Sequence, residues 1–517
     1  MAETSLLSLP DELLLITVNH FTALQTSFGS MGLKSQSTDT DYDTLLSLRR
    51  TCRRLSLISR PLIYSVIHVL SGTGLVLLIR TLLENSDLRP LVQHLGIEFD
   101  MEEKPYKSGF QTAVTCWEDN FVPLPSMNAD DAQVFGCISF DDKRTVCIDG
   151  IHYGSVVGGV VAVLLCLAPE IRTLRFLAGY MIPLGNAAQN TIDSLKVMMK
   201  HLIGQRLPPP LAKVRHLQLA EESYNQPATW RVRNSRHISL SSRTLEVFLS
   251  LCPRIYRVET FASYGGLVIE RGRLDTGKLT EIIARDCKSL ASSVASVRDF
   301  PRVKKLDVEV SNSPRHLRGM PPWARPAPRS PTVESSLRKV ADTLEHLRLS
   351  FPWRKDLLQE LGPDAQLTCL PKLIHLKHLH IQVRALFSQS VLLEGPFADM
   401  SLMEVRTLAS MLPNSLECLE LVESLHMATK KHEDSLGKRC WREGEYEHVL
   451  MNMILKFCAQ GHTVQPYLRH FYFLAARETR IVKSYLEEIK SACIDRNLDV
   501  EIEVPGFVKG KHGRSLL

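Results

Sequence analysis

Leu344-Glu-His-Leu347-Arg-Leu349 and its counterpart Leu376-Lys-His-Leu379-His-Ile381 decide how this 517-residue chain folds. Each reads apolar, two variable residues, apolar, one variable residue, apolar. The alternation at the end predicts a short strand with one apolar face inward and one polar face outward. A strand so short cannot bury its apolar face alone, so copies must stack side by side.

Upstream the pattern occurs in Val303-Lys-Lys-Leu306-Asp-Val308, Ile255-Tyr-Arg-Val258-Glu-Thr260, Val214-Arg-His-Leu217-Gln-Leu219 and Ile171-Arg-Thr-Leu174-Arg-Phe176. Downstream it occurs in Leu416-Glu-Cys-Leu419-Glu-Leu421 and Leu468-Arg-His-Phe471-Tyr-Phe473. An early copy is Val92-Gln-His-Leu95-Gly-Ile97. From 174 to 471 the central apolar positions step by 43, 41, 48, 41, 32, 40 and 52 residues. Helical stretches run into several of these strands, Thr244–Leu251 before Cys252-Pro253 and Leu402–Leu412 before Pro413-Asn414. Each unit therefore reads helix, turn, strand, and the fold class expected is α/β.

These units resemble leucine-rich repeats of long and irregular length. The resemblance implies a horseshoe-like solenoid over 90–505, followed by a basic flexible tail over 506–517. A non-solenoid α/β domain on the same strands is the alternative. Residues beside the apolar pair alternate to the opposite face. In a repeat horseshoe that face lines the concave surface, which would make it the target-binding surface. The candidates are Arg175, His216, Arg257, Lys305, Asp307, His346, Arg348, His378, His380, Glu420 and Tyr472, with Gln218, Glu259, Glu309 and Gln382 beside them. Histidine recurs before the central apolar residue at His94, His216, His346, His378 and His470. Histidine suits a metal site or a pH switch. No carboxylate or cysteine completes a fixed coordination set, so neither a metal nor a cofactor is expected.

The N-terminus carries a different signal. In Ser8-Leu-Pro-Asp-Glu-Leu-Leu-Leu-Ile16, Ser8 and Asp11 fit a helix-capping pair, and Pro10 falls in the first turn, where a missing N–H costs nothing. Leu9, Leu13, Ile16 and His20 share one face, and Leu14, Val18 and Phe21 another. A helix apolar on two faces needs two partners. Leu45, Leu48, Cys52, Leu55, Ile58 and Leu62 then recur at helical steps as one stripe, with Arg49, Arg50, Arg53 and Arg54 on the other side. Pro61 is expected to break or restart this helix before Leu62-Ile-Tyr64.

Leu9-Pro10-x-Glu12-Leu13, Leu48-Arg-x-x-Cys52-Arg-Arg-Leu55 and Pro61-Leu62-Ile-Tyr64 together resemble an F-box, chiefly its fungal versions. The resemblance covers 4–68. It implies a three-helix module that binds a Skp-type adaptor through Leu9, Pro10, Leu13, Leu14, Leu48, Cys52, Leu55, Pro61, Leu62 and Tyr64. Through the adaptor it implies a cullin and an SCF-type ubiquitin ligase, with the repeats holding a protein substrate for ubiquitin-dependent catabolism. A receptor of this kind is not itself an enzyme. An adaptor-bound F-box scaffold working outside a ligase is the other reading, a nucleotide-using enzyme built on the loop at 272–280 is a third, and a plain helical cap on the next domain is the alternative to the F-box itself. The sequence departs from the family pattern in a polar insertion over 22–43, expected as a loop, since loop length costs little free energy.

Composition narrows the classes further. Lys and Arg number 62 against 56 Asp and Glu, a net charge of +6, and no basic stripe alternates with aromatics as in RNA platforms. The 12 cysteines form no Cys-x-x-Cys and read as reduced thiols. The longest apolar run, Val156 to Ala168, is too short for a membrane span of roughly 20 residues and reads as a buried helix. A cytoplasmic or nuclear location, with no membrane or nucleic-acid partner, is expected.

Gly272-Arg-Leu-Asp-Thr-Gly277-Lys278-Leu279-Thr280 nearly spells a phosphate loop, with a helix expected from Leu279 to Ala284. Leu279 occupies the place where that motif needs a magnesium-binding hydroxyl. Cys440 lies near His432 and His448, but sequence proximity does not make a thiol nucleophile and its base. The Pro- and Arg-rich residues 312–333 read as an exposed loop, either a partner-binding arm or a tolerated insertion. Residues 425–444 also read as a loop, and 100–150 carry no clear repeat.

Overall fold

The computed structural model describes residues 10–15, 36–69, 72–98, 138–140, 145–148, 151–178, 211–221, 251–261, 278–287, 290–295, 297, 300–310, 333–351, 366–386, 408–423, 445–475, 480–494 and 498–503. Leu9, most of 100–150, and the segments 312–332, 425–444 and 506–517 lie outside these. The chain divides into two compact units, Met1–Ala262 with Gly272–Asp275, and Ser263–Arg271 with Thr276–Leu517.

The first unit begins with three helical segments, α1 (11–15), α2 (Gln36–Thr51) and α3 (Arg53–Ser65). Next come β1 (Val66–Val69), α4 (Gly72–Glu84) and β2 (His94–Glu98). A small antiparallel sheet follows, β3 (Ile138–Phe140), β4 (Thr145–Ile148) and β5 (Ile151–Ser155). Then come α5 (Val156–Leu167), β6 (Thr173–Ala178), β7 (His216–Glu221) and β8 (Arg257–Phe261). Strands β1, β2, β6, β7 and β8 pair in parallel in that order.

The second unit runs β9 (Glu281–Cys287), α6 (Leu290–Ala295), β10 (Lys305–Val310), α7 (Val333–Leu337), β11 (His346–Ser350), β12 (His378–Gln382) and β13 (Cys418–Val422). It ends with α8 (Glu445–Val464), β14 (His470–Leu474), α9 (Arg480–Ile494) and β15 (Asp499–Glu503). These seven strands are parallel, each paired with the next in sequence.

All nine quoted stretches carry a strand, and each strand begins at the third residue of its stretch. The backbone explains the offset. The first apolar residue closes a turn: Leu376 N–H donates to Leu373 O at 3.0 Å, and Val214 N–H to Leu211 O at 3.1 Å. The next residue starts the ladder, Glu345 N–H donating to Lys304 O, Lys377 to Glu345 O and Glu417 to Lys377 O, each at 2.8 Å. The central apolar residues are therefore in register, Leu306, Leu347, Leu379, Leu419 and Phe471 in the second unit and Leu95, Leu174, Leu217 and Val258 in the first. All are buried, as is the all-apolar α5 through Val161, Leu164 and Leu165.

Several expectations are corrected. The long step from 258 to 306 hides a strand, β9, in which Ile282 pairs with Leu306. That strand stands where a helix after Lys278 was expected. The single helix through Leu48 and Leu55 is two helices. Cys52 is extended (φ −158°, ψ 163°) and its Sγ accepts the Leu55 N–H at 3.5 Å, capping α3. Pro61 does not break α3. The carbonyl it fails to bond belongs to Leu57, which is exposed, so water can serve it. Residues 36–43 of the expected loop are helical.

Replacing Leu419 with Ala should cost about 2–5 kcal/mol, because its neighbours on β12 and β14 cannot collapse into the space. Chemical denaturation measures this; a loss under about 1 kcal/mol would mean the inward row is not a close-packed core.

Candidate functional site

Two surfaces carry the sequence-identified residues. The first is the N-terminal helical module. Leu45 and Ile63 form its core, with Leu46, Leu48, Ile58, Leu62 and Tyr64 packed around them. Leu14 and Leu55 are also buried. Arg54 joins α3 to α1 by an ion pair to Asp11 at 2.5 Å. The α3 stripe that carries Arg54 continues, at helical spacing, through Leu57 and Pro61. Leu57 is 61% exposed, Leu13 48% and Leu15 41%, and Pro10 and Pro61 are exposed too. Of the expected adaptor-binding residues, Pro10, Leu13 and Pro61 thus face outward. Leu14 and Leu55 instead serve the module's own core, Cys52 is a helix cap, and Leu48, Leu62 and Tyr64 are half-buried. Leu15 and Leu57 were missed, because helical periodicity alone does not say which apolar face stays uncovered.

The second surface is the outward face of the strands in the second unit. Its first row is Glu281, Lys305, His346, His378, Cys418, His470 and Asp499. Its next row includes Asp307, Arg348, His380, Glu420, Tyr472 and Glu501. Neighbouring strands stand about 4.8 Å apart, so adjacent side chains touch. The His346 and His378 rings stack at 4.3 Å. His380 Nδ1 lies 2.7 Å from Glu420, and His470 Nδ1 3.0 Å from Asp499. Arg285 on β9 holds Asp307 at 2.6 Å and Glu309 at 3.0 Å, and Arg348 approaches Asp307 at 3.8 Å. Asp307 is only 5% exposed, so it anchors arginines and is removed from the target-facing set. Burial pushes its carboxyl above the ordinary value, against the pull of Arg285, Arg348 and Lys305. The His380 hydrogen bond leads the effects that hold Glu420 below its ordinary value.

The corresponding face of the first unit is closed. Gln218 is 2% exposed and Glu259 7%, and Gln218 donates to Glu259 at 3.0 Å. His216 and Arg257 approach the same carboxylate at 3.3 and 3.4 Å. Burial pushes Glu259 up, but the nearby His216 and Arg257 and the Gln218 hydrogen bond outweigh it, so its net shift is downward. Arg175 is half-buried in the same row. His216 and Arg257 therefore belong to an internal polar network rather than an open surface.

Among the described residues no group of three or more His, Cys, Asp or Glu is placed to hold a metal ion. The phosphate-loop reading fails because Lys278 runs into β9, whereas that motif needs a helix N-terminus there. Burial pushes the thiols of Cys166 and Cys369 up to about 12, which keeps them protonated at neutral pH. Among the described residues no helix is long and apolar enough to cross a membrane. No family model matches the sequence, and no curated protein compared with it matches either.

Burial, then the charges of His378 and Lys305, hold the His346 imidazole below its ordinary value; burial and Arg172 do the same to His94. The unfolded chain therefore binds these protons more readily than the folded one. Stability from these groups is complete above about pH 6.5 and is lost as pH falls below that value. The unfolding temperature should drop between pH 7.5 and 5.5, and by less in His346→Phe, which keeps a ring in the stack but cannot titrate. An unchanged slope in that variant would show that His346 protonation is not coupled to folding.

Proposed function

We propose that the chain is the substrate receptor of an SCF-type ubiquitin ligase. In this reading the N-terminal helices form an F-box that docks a Skp-type adaptor and, through it, a cullin. The parallel strands belong to an irregular leucine-rich-repeat solenoid whose outward polar face holds a protein target. The observation that carries the reading is the exposure of Pro10, Leu13, Leu15, Leu57 and Pro61 on a small helical module that already has a core of its own. Large apolar side chains gathered on one small module favour a protein partner. The match of Leu9-Pro10, Cys52-Arg-Arg-Leu55 and Pro61-Leu-Ile-Tyr64 to the F-box pattern gives that partner its class. On the strand face, Arg348 and His378 are exposed, and His346, His380, Glu420 and Tyr472 are half-exposed. Mixed charge of this kind suits a polar protein surface better than a phosphate backbone.

Burying one leucine contributes about 1.5–3 kcal/mol. Leu13→Glu with Leu57→Glu should lower co-purification of a Skp-type adaptor by at least tenfold, while the unfolding temperature stays close to that of the parent. Arg348→Glu with His378→Ala should keep the adaptor and cullin and lose the captured target, read by affinity purification with the proteasome blocked. Wild-type chain that recovers neither adaptor nor cullin would sink the proposal. Recovery of the adaptor without cullin would make the chain a scaffold outside a ligase.

A further inference from the structure

The last strand of the second unit has an edge of defined chemistry. β15 pairs with β14 on one side and ends the strand order among the described residues. Asp499 N–H donates to Arg469 O at 2.9 Å, and Glu503 O accepts from Ala475 N–H at 3.0 Å. In a parallel ladder the residues that bond to one neighbour alternate with those that bond to the other. Asp499, Glu501 and Glu503 therefore serve β14, and the backbone N–H and C=O groups of Val500 and Ile502 point to the opposite edge. The side chains alternate as well. Asp499, Glu501 and Glu503 are exposed, while Val500 and Ile502 are only half-covered.

Beside this edge lies an open cleft of about 290 Å³ whose lining includes Cys418, Glu420, His470, Tyr472, Asp499 and Glu501. The outward positions of β13, β14 and β15 hold four carboxylates and no lysine or arginine. His380 takes Glu420, His470 takes Asp499 and the Tyr472 hydroxyl donates to Glu503. Glu501 has no ion pair among the described residues. Burial, then the Glu503 hydrogen bond and the surrounding carboxylates, raise the Tyr472 hydroxyl to about 12.

We infer that β15 is a docking edge for an extended segment of another protein in which Lys or Arg alternates with apolar residues. The segment pairs its backbone with Val500 and Ile502. Its apolar side chains cover those two residues, and its cations lie over Glu501 and the neighbouring cleft. Backbone pairing gives affinity and the side-chain alternation gives specificity, as in other strand additions. A second copy of this chain is a poor occupant, since its own β15 would set carboxylates against carboxylates. The edge chemistry does not depend on the ligase reading.

The test uses the full chain and a fluorescent peptide, Ser-Lys-Val-Lys-Val-Lys-Ser, read by anisotropy. Its control is Ser-Lys-Lys-Lys-Val-Val-Ser, of the same composition. The alternating peptide should bind saturably and at least tenfold more tightly than the control. Val500→Pro removes an edge N–H that β14 does not use, a change edge strands tolerate. It should weaken binding about tenfold with the unfolding temperature unchanged. Asp499→Lys with Glu501→Lys should lose this peptide and gain Ser-Glu-Val-Glu-Val-Glu-Ser, an outcome that holds even if the proline variant folds poorly. Equal binding of the two lysine peptides, no binding, or no change in a folded Val500→Pro would overturn the inference. So would a tenfold gain on deleting residues 506–517, which would make the chain's own tail the occupant.

Discussion

Each repeat depends on a backbone contact made as its strand begins, in which one carbonyl of the preceding repeat accepts from two successive N–H groups. Glu345 N–H reaches Lys304 O, Lys377 reaches Glu345 O, and Glu417 reaches Lys377 O. The contact fixes where the next strand starts relative to the last. A register error of one residue would turn every inward leucine out. The tight turn before it, closed by Leu376 or Val214, brings two consecutive N–H groups to that one carbonyl, His378 joining Lys377 on Glu345 O and His346 joining Glu345 on Lys304 O. The apolar pair then supplies the energy and the turn supplies the alignment. The variable segments between strands are released from both tasks, which is why repeat length can vary so widely.

Much of this was legible because the constraint is local. A turn-closing apolar residue and an inward pair three and five positions later leave a periodic trace. Leu279-Thr-Glu-Ile282-Ile-Ala284 carries the same trace. The Gly-Lys near-match before it points to a helix instead, because a phosphate loop runs into one. β1 escaped notice because α3 runs into it at Ser65-Val66 with no turn between. The break at Cys52 left no trace either. Leu48 and Leu55 keep helical spacing across it, and cysteine is not among the usual capping residues.

The site was less legible than the fold, since alternation assigns a face but not its exposure. Asp307 and Arg348 occupy equivalent positions in their repeats, yet one is buried and the other exposed. The difference comes from Arg285, on the strand that was missed. It pairs with Asp307 and Glu309 and, with Arg348, offsets the charge of the buried Asp307. Similarly, Gln218 and Glu259 lie on the expected outward face but are closed off. A buried charge survives only with partners in place, and His216, Arg257 and Gln218 supply them. That network has the form of a structural element rather than a receptor surface.

Stacked repeats leave an end strand with unsatisfied backbone, and the ends need protection. In the first unit α3 flows into β1, and Gln93 N–H donates back to Ser65 O at 3.1 Å, so the helical module sits where a cap belongs. If it also docks a partner, its core must hold without the leucines that face outward. Leu14, Leu45, Leu55 and Ile63 meet that need and leave Leu13 and Leu57 uncommitted to it. At β15 the protection is charge: acidic side chains alternate along the strand and discourage pairing with copies of itself. Repulsion of that kind is selective, because it penalises an acidic neighbour and favours a basic one. Carboxylates along a strand thus guard it against acidic copies of itself while leaving a basic neighbour the favoured one.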